Sequence, residues 1–298
     1  PTLRNNIWCV TADSKLYLYN THLCKFVNRG KEINEQFGID LRVDKIYPLK
    51  TGNTWITAKS ANYLIRNYML PDQSFEKEII KVGQHGLRSG NVWHVWADKK
   101  GREWILTDKG TTIYNHHFST QLPFKWIREV GENIFLATPN GKLAVYDEKE
   151  HLVMIPMPAG VTRINQLKNT GYQLLIATNI GLVVYNPRTF KTEVINVQSP
   201  GQPMAEVKNI YTDAYGMVWV FTDGMGVTMV NPRTGQKAWL YADQPDPAER
   251  TTSEKFFITQ DENKTLWVVP NGGTFSYFDR KAGKLVPYLL HSNSSGNF

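Results

Sequence analysis

Hydrophobic and polar residues alternate along this chain in short runs, each closed by a turn. In the stretch 207–241, Val207-Lys208-Asn209-Ile210-Tyr211-Thr212 alternates as a strand with one better-covered face. Asp213-Ala214-Tyr215-Gly216 then reads as a turn, because Asp can bond backbone amides ahead of it and Gly accepts positive φ. Met217 to Phe221 is apolar almost throughout, as expected of a strand covered on both faces. Asp223-Gly224-Met225-Gly226 turns again, and Val227 to Val230 is a third strand. Asn231-Pro232-Arg233-Thr234-Gly235 is a further turn, and Lys237 to Tyr241 a fourth strand. The same order fits Val161 to Leu167, Gln173 to Ala177, Leu182 to Tyr185 and Thr192 to Ile195. No ten-residue stretch carries a helical period.

The pattern repeats. Asp98-Lys99-Lys100-Gly101-Arg102-Glu103-Trp104-Ile105-Leu106-Thr107 returns as Asp213-Ala214-Tyr215-Gly216-Met217-Val218-Trp219-Val220-Phe221-Thr222, and again, worn, from Asp261 to Trp267-Val268-Val269-Pro270. In all three an acid stands six residues before a Trp. Taking that aromatic or large apolar position as an anchor gives Trp8, Trp55, Trp104, Phe135, Leu175, Trp219 and Trp267. A Thr follows three positions later at Thr11, Thr107, Thr138, Thr178 and Thr222. An apolar residue followed by Asn or Asp closes most units, at Tyr19-Asn20, Tyr114-Asn115, Tyr146-Asp147, Tyr185-Asn186, Val230-Asn231 and Phe278-Asp279. The anchors are spaced between about 31 and 49 residues, a range that brackets the period of four-stranded propeller blades. The chain is therefore expected to be all-β, a seven-bladed β-propeller of four-stranded antiparallel blades. It reads as a single propeller over 1–298, with blades near 1–40, 41–87, 88–122, 123–159, 160–203, 204–250 and 251–298. Blades face one another, so the anchors should be wedges between them. Burying one aromatic contributes on the order of 2–3 kcal/mol, and truncating it to Ala should cost about 3–5 kcal/mol.

The 298 residues are 41% apolar and 20% charged, which excludes a disordered chain. No apolar run approaches the roughly 20 residues of a membrane-spanning helix. The chain starts at Pro1 and enters its first unit at the anchor strand, so it is read as a piece excised from a longer polypeptide, or as one whose ring is closed by another segment. A net charge of +7 favours acidic partners, but basic residues are spread through every unit and form no arginine-rich stretch, which argues against nucleic acid. Cys9 and Cys24 are too few for a disulfide scaffold or a cysteine zinc site. They fall on next-but-one strands, about 9–10 Å apart, beyond the roughly 7 Å that a disulfide spans; two buried thiols are expected.

The phrase Asp-x-x-Gly-x-x-Trp-Val-x-Thr, followed by a turn and apolar-Tyr-Asn, resembles the two-component-regulator propeller repeat, from Trp8 to Asp279. Many members of that family place Gly before the Thr, where this chain has Val10, Leu106, Ala137, Ala177 and Phe221. The resemblance implies one propeller of the periplasmic sensor region of a Bacteroides-type hybrid two-component system, with a membrane helix, histidine kinase and response regulator elsewhere in the parent protein. It implies recognition of an oligosaccharide released by polysaccharide breakdown, homodimerisation through the full sensor region, and contact with the membrane only through downstream segments. It transfers no ligand residue.

Candidate chemistry is therefore read from position. No Ser sits in a Gly-x-Ser-x-Gly elbow, the seven His lack a His-Glu-x-x-His spacing, and no carboxylate pair stands out for glycoside hydrolysis. No catalytic residue, metal or cofactor is expected. Asp98, Asp213 and Asp261 are read as turn residues. Ligands are expected over the loops before each first strand and after each second strand, which hold Asn91, Trp93, Asp108, Lys109, Asn140, Asn179, Asp223, Met225 and Asn271. First strands also begin with Lys45, Arg128, Arg163, Lys208 and Lys255. The selected ligand-binding set is Trp93, Asp108, Lys109, Arg163, Lys208, Asp223 and Asn271. Trp93 offers a stacking face, and the basic residues suit a sulfated or uronic sugar; solvated loops and interblade ion pairs are the plain structural alternative. The rival functions are a protein-interaction scaffold, for which the Gly-His…Trp-Asp repeat signature is absent, and a propeller lyase or glycosidase.

Overall fold

The alternating runs fold as antiparallel meanders in which each strand pairs with the next in sequence. The computed structural model describes residues 7–21, 23–38, 40, 42–58, 62–66, 76–198, 201–222, 227–240, 256–270 and 276–288. Two compact units divide the chain, 1–125 and 126–298. The first holds a three-stranded sheet (Ile7–Val10, Leu16–Asn20, Lys25–Asn28) and two four-stranded ones. These are Val43–Pro48, Thr54–Ala58, Asn62–Arg66, Glu76–Ile80, and then Val92–Ala97, Glu103–Thr107, Gly110–Ile113, Ser119–Thr120. The second unit holds four sheets of four strands. Their first two strands are Trp126–Val130 with Asn133–Ala137, Ile164–Asn169 with Leu174–Thr178, Val207–Thr212 with Val218–Thr222, and Phe256–Gln260 with Leu266–Pro270. The chain is thus an all-β β-propeller built from four-stranded antiparallel blades.

The expectation of seven four-stranded blades needs correction. Among the described residues there are six, and the Trp8 sheet has three strands. In the other sheets a first strand lies beside the anchor strand; Ile7–Val10 has no such neighbour among the described residues. The expectation of no helix is corrected as well. Arg29–Phe37 is α-helical, started by the Asn28 side chain accepting from the Lys31 amide and stopped by Gly38 at φ 62°. Its nine residues are too few to display a period, yet Ile33 is buried among Leu16, Val43 and Ile56. Cys9 and Cys24 are free, as their spacing predicts, but Cys9 is half-buried and Cys24 exposed, because Cys24 occupies a turn at φ 47° rather than a strand.

The repeated residues have distinct physical jobs. Trp55, Trp104 and Trp219 are fully buried, and a buried indole N–H must find an acceptor. The acid six residues earlier supplies it: Trp104 Nε1 donates to Asp98 Oδ2 at 3.0 Å, Trp219 to Asp213 Oδ2 at 3.1 Å, and Trp267 to Asp261 Oδ2 at 3.0 Å. The other oxygen of each carboxylate accepts the amide four residues on, from Arg102, Met217 and Thr265, and so closes the hairpin. Trp55 has Leu49 in that place and takes its acceptor from the neighbouring blade instead. Its indole donates to Glu103 Oε2 at 2.8 Å, while Thr51 and Asn53 donate to Oε1 at 2.8 and 2.6 Å.

Four of the anchors also dock on a residue at or just after the end of the third strand of the following blade. Trp55 meets Tyr114 edge-on at 5.3 Å between ring centroids, Phe135 meets Tyr185 at 5.5 Å, and Trp219 meets Phe278 at 4.8 Å. Leu175 shares a cluster with Val230 in the same way. The two apolar marks of the repeat are therefore two halves of one interblade contact. The Asn or Asp that follows caps the next turn, as where Asp147 Oδ1 accepts the Lys149 and His151 amides. The Thr of the phrase closes the hairpin after the anchor strand: Thr107 Oγ1 donates to the Gly110 carbonyl and Thr178 Oγ1 to that of Gly181, both at 2.7 Å. At Gly110, φ is 153° and a Cβ would lie 2.3 Å from the Thr120 carbonyl, so no other residue fits.

Two outcomes follow. Glu103→Ala strands three donors, one of them a buried indole, and should destabilise the protein by about 3 kcal/mol or more in urea unfolding. Lys264 holds φ 64° where the other two copies of the turn have Gly101 and Gly216. Lys264→Gly should therefore stabilise by about 0.5–1 kcal/mol, relief of the left-handed strain outweighing the added chain entropy.

Candidate functional site

The expected site residues fall into both units, and each unit has its own arrangement. In residues 1–125, Trp93 is the second residue of the strand Val92–Ala97 and is half-buried. Its carbonyl accepts from the Tyr47 hydroxyl at 3.3 Å, and the Lys125 ammonium lies 6.0 Å from its ring centroid. Asp108 and Lys109 follow the second strand of the same blade. Asp108 Oδ2 accepts from Asn91 Nδ2 at 3.3 Å, which latches the two loops together. Its Oδ1 is buried with no hydrogen-bond partner among the described residues. Lys109 is exposed.

Between the first strands of these two blades lies a groove of about 380 Å³, lined by Tyr47, Pro48, Lys50, His94 and Trp96 among others. Tyr47 and His94 meet edge-on at 5.8 Å. Burial, helped by the negative charge of Asp44, pushes the Tyr47 hydroxyl up to about 12, so it is a neutral donor at any physiological pH. An aromatic-walled groove with a few polar edges is suited to the faces of a sugar ring.

In residues 126–298, Arg163 and Lys208 come together on one carboxylate that the sequence reading did not single out. Glu206 Oε1 lies 3.4 Å from Arg163 Nη1 and accepts from Asn165 Nδ2 at 2.8 Å; Oε2 accepts from Lys208 Nζ at 2.9 Å. Burial works against the Glu206 charge, but the Asn165 amide, the Lys208 ammonium and the Arg163 guanidinium outweigh it and hold the carboxyl below its ordinary value. Asn179, also expected at the binding face, serves as a loop latch: its Oδ1 accepts the Thr162 and Arg163 amides and its Nδ2 donates to the Gly160 carbonyl. Asn140 accepts from the Thr138 hydroxyl at 2.5 Å. Asp223, Met225, Lys255 and Asn271 lie outside the described residues.

One register position was missed in reading the sequence. The first-strand residue directly across from each anchor is Tyr47 opposite Trp55 and Trp96 opposite Trp104 in the first unit. In the second it is Arg128 opposite Phe135, Lys168 opposite Leu175, Tyr211 opposite Trp219 and Thr259 opposite Trp267. Facing residues share one side of a sheet, so this position lies on the same sheet face as the wedge. Its signal was present in the sequence at a fixed offset before the anchors, but a bulge in several first strands disturbs the alternation that would have exposed it.

A scan against protein-family models finds none that matches, and no curated protein matches the chain in sequence. Solved structures similar to it include the extracellular domain of a putative hybrid two-component system from B. thetaiotaomicron, at 15% identity and a TM-score of 0.39, covering 98% of this chain and 45% of that one. Virginiamycin B lyase from Staphylococcus aureus, in a catalytically inactive form with quinupristin, is similar at 12% identity and a TM-score of 0.51, covering 90% and 89%. A WD40 β-propeller domain is similar at 12% identity and 0.50, covering 83% and 82%. At these identities the lyase and the WD40 domain share the fold with this chain. The chain spans about half the length of the Bacteroides extracellular domains it matches, 46% and 45%.

The Glu206 cluster has a defined pH dependence. With the carboxyl lowered in the folded state, its contribution to stability is complete above the unfolded Glu value of about 4.3 and is lost as pH falls through the lower folded value. Carboxyl NMR titration should give Glu206 a midpoint below that of an exposed Glu, and Lys208→Met should move it upward.

Proposed function

We propose that this chain is the ligand-sensing propeller of a periplasmic sensor in a hybrid two-component system, and that it recognises an oligosaccharide produced by polysaccharide breakdown. The observation that carries the reading is the repeat phrase itself. Its Asp, Gly and Trp do the same physical work in the copies at Trp104 and Trp219, and its Asp and Trp do so again at Trp267. That phrase is the one resembling the sensor repeat. The groove lined by Tyr47, His94 and Trp96, with Trp93 beside it, supports a sugar as ligand.

In this reading the propeller binds and does not catalyse, and the kinase belongs to other parts of the parent protein. Signalling passes through a homodimer of the full sensor region, whose geometry shifts because ligand binds one receptor state more tightly than another.

Calorimetry of the purified sensor region against a panel of neutral, uronic and sulfated oligosaccharides tests the proposal. At least one should bind without being consumed, and Trp93→Ala should weaken it by about tenfold or more. Conversion of a sugar to product would replace the sensor by a propeller lyase or glycosidase. Recovery of a stable protein partner, with no sugar bound, would favour the scaffold.

A further inference from the structure

Arg128 and Lys168 occupy the place beside the wedge in two successive blades, and a cation is costly there. Phe135, opposite Arg128, packs among Ile164, Leu167 and Ile176 of the next blade, so Arg128 is turned to that blade. Leu175, opposite Lys168, packs among Val207, Ile210 and Val218, so Lys168 is turned to the blade after it. The Lys168 ammonium lies 5.9 Å from the Tyr211 ring centroid, which places Tyr211 third in the row. All three side chains are half-buried.

Neither cation has a carboxylate partner among the described residues. Arg128 Nη1 donates to the carbonyl of Ile127 at 2.6 Å, which leaves the rest of its fork unused. The acids nearby are committed elsewhere. Asp213, whose charge reaches Tyr211, accepts from the Trp219 indole and from Arg280 Nη2. Glu206 serves Arg163, Asn165 and Lys208. Glu129 stands opposite Ile134, on the other side of its strand from Arg128. Gln166 spends its carbonyl on the Ile210 amide at 2.6 Å. Burial lowers the basicity of Arg128, and burial together with the Arg128 charge lowers that of Lys168. Two half-buried like charges that repel each other cost stability, and an anion bound at these cations would remove that cost.

We propose that Arg128, Lys168 and Tyr211 form a subsite for the acidic group of a sugar, a carboxylate or a sulfate. Arg128 presents the planar fork that matches either oxyanion, Lys168 a point charge, and Tyr211 a ring face with a phenolic donor. The inference rests on the sensor reading for its sugar, and on these three residues alone for the acidic group.

The probes are glucuronic acid, glucose 6-sulfate, glucose and inorganic sulfate, followed through the Lys168 side-chain NMR signals and by calorimetry. Either acidic sugar should shift the Lys168 signals and raise its titration midpoint, and glucose should do neither; whichever acidic sugar binds more tightly identifies the source of the oxyanion. Lys168→Met should weaken binding of that sugar by about tenfold or more, and Lys168→Arg should restore it. Lys168→Met should also raise the melting temperature of the ligand-free protein, because it removes an unpaired half-buried charge. Silence of the Lys168 signals toward every acidic probe overturns the subsite, as does equal binding of glucose and glucuronic acid. If oligosaccharides bind and Lys168→Met leaves their affinity unchanged, the subsite falls and the sensor reading stands. If acidic probes bind at Lys168 while no oligosaccharide of the panel does, the sensor reading falls and the subsite stands.

Discussion

A buried tryptophan brings one obligatory hydrogen-bond donor into the interior, and this protein is arranged around satisfying it. The indoles of Trp104 and Trp219 need an acceptor at a fixed place, and the Asp six residues earlier provides it while its second oxygen holds the hairpin that returns the chain to the Trp. One carboxylate thus ties a turn to a wedge. Loss of either partner would leave a buried polar group without its mate, a larger penalty than the hydrogen bond is worth by itself. The spacing of six between acid and aromatic is the length of that turn.

Where a blade lacks the acid, its neighbour supplies one. Trp55 takes Glu103, which also gathers Thr51 and Asn53, so a defect in one unit becomes a link between two. Asp213 shows the reverse. It serves its own Trp219 and also accepts from Arg280 of the following blade, whose guanidinium lies 3.9 Å from the Tyr215 ring centroid. Polar groups spent within a blade set its shape; those shared between blades set how blades pack. Wedge contacts such as Trp219 on Phe278 add the apolar part of the same interface.

That economy bears on where a ligand could be held. Most polar residues at the ends of the strands are consumed by structure: Asn179 latches two loops, Asn140 closes a hairpin, and Arg163 and Lys208 neutralise Glu206. Among the described residues, the first strands carry Tyr47 and Trp96 on a groove in one unit and, beside the wedges of the other, Arg128 and Lys168 without a carboxylate partner. Aromatic faces and unneutralised cations are complementary to the ring and the acidic group of a charged sugar.

The sequence alone determined the strand-and-turn order, the repeat and the wedges, because these follow from local rules. Alternation sets the strands, turn chemistry sets Asp and Gly, and a recurring Trp marks a place covered on both sides. It missed the Arg29–Phe37 helix, too short to show a period, and expected seven four-stranded blades where the described residues contain six and a three-stranded sheet. Tertiary structure decided the partners. Nothing in the run of residues says that Glu103 belongs to Trp55, that Glu206 stands between Arg163 and Lys208, or that Arg128 and Lys168 face successive blades with no carboxylate partner among the described residues. Except for Glu206 and Lys208, those relations join residues 40 or more positions apart through register and packing, and charge balance in an interior is settled only when strands from different blades meet.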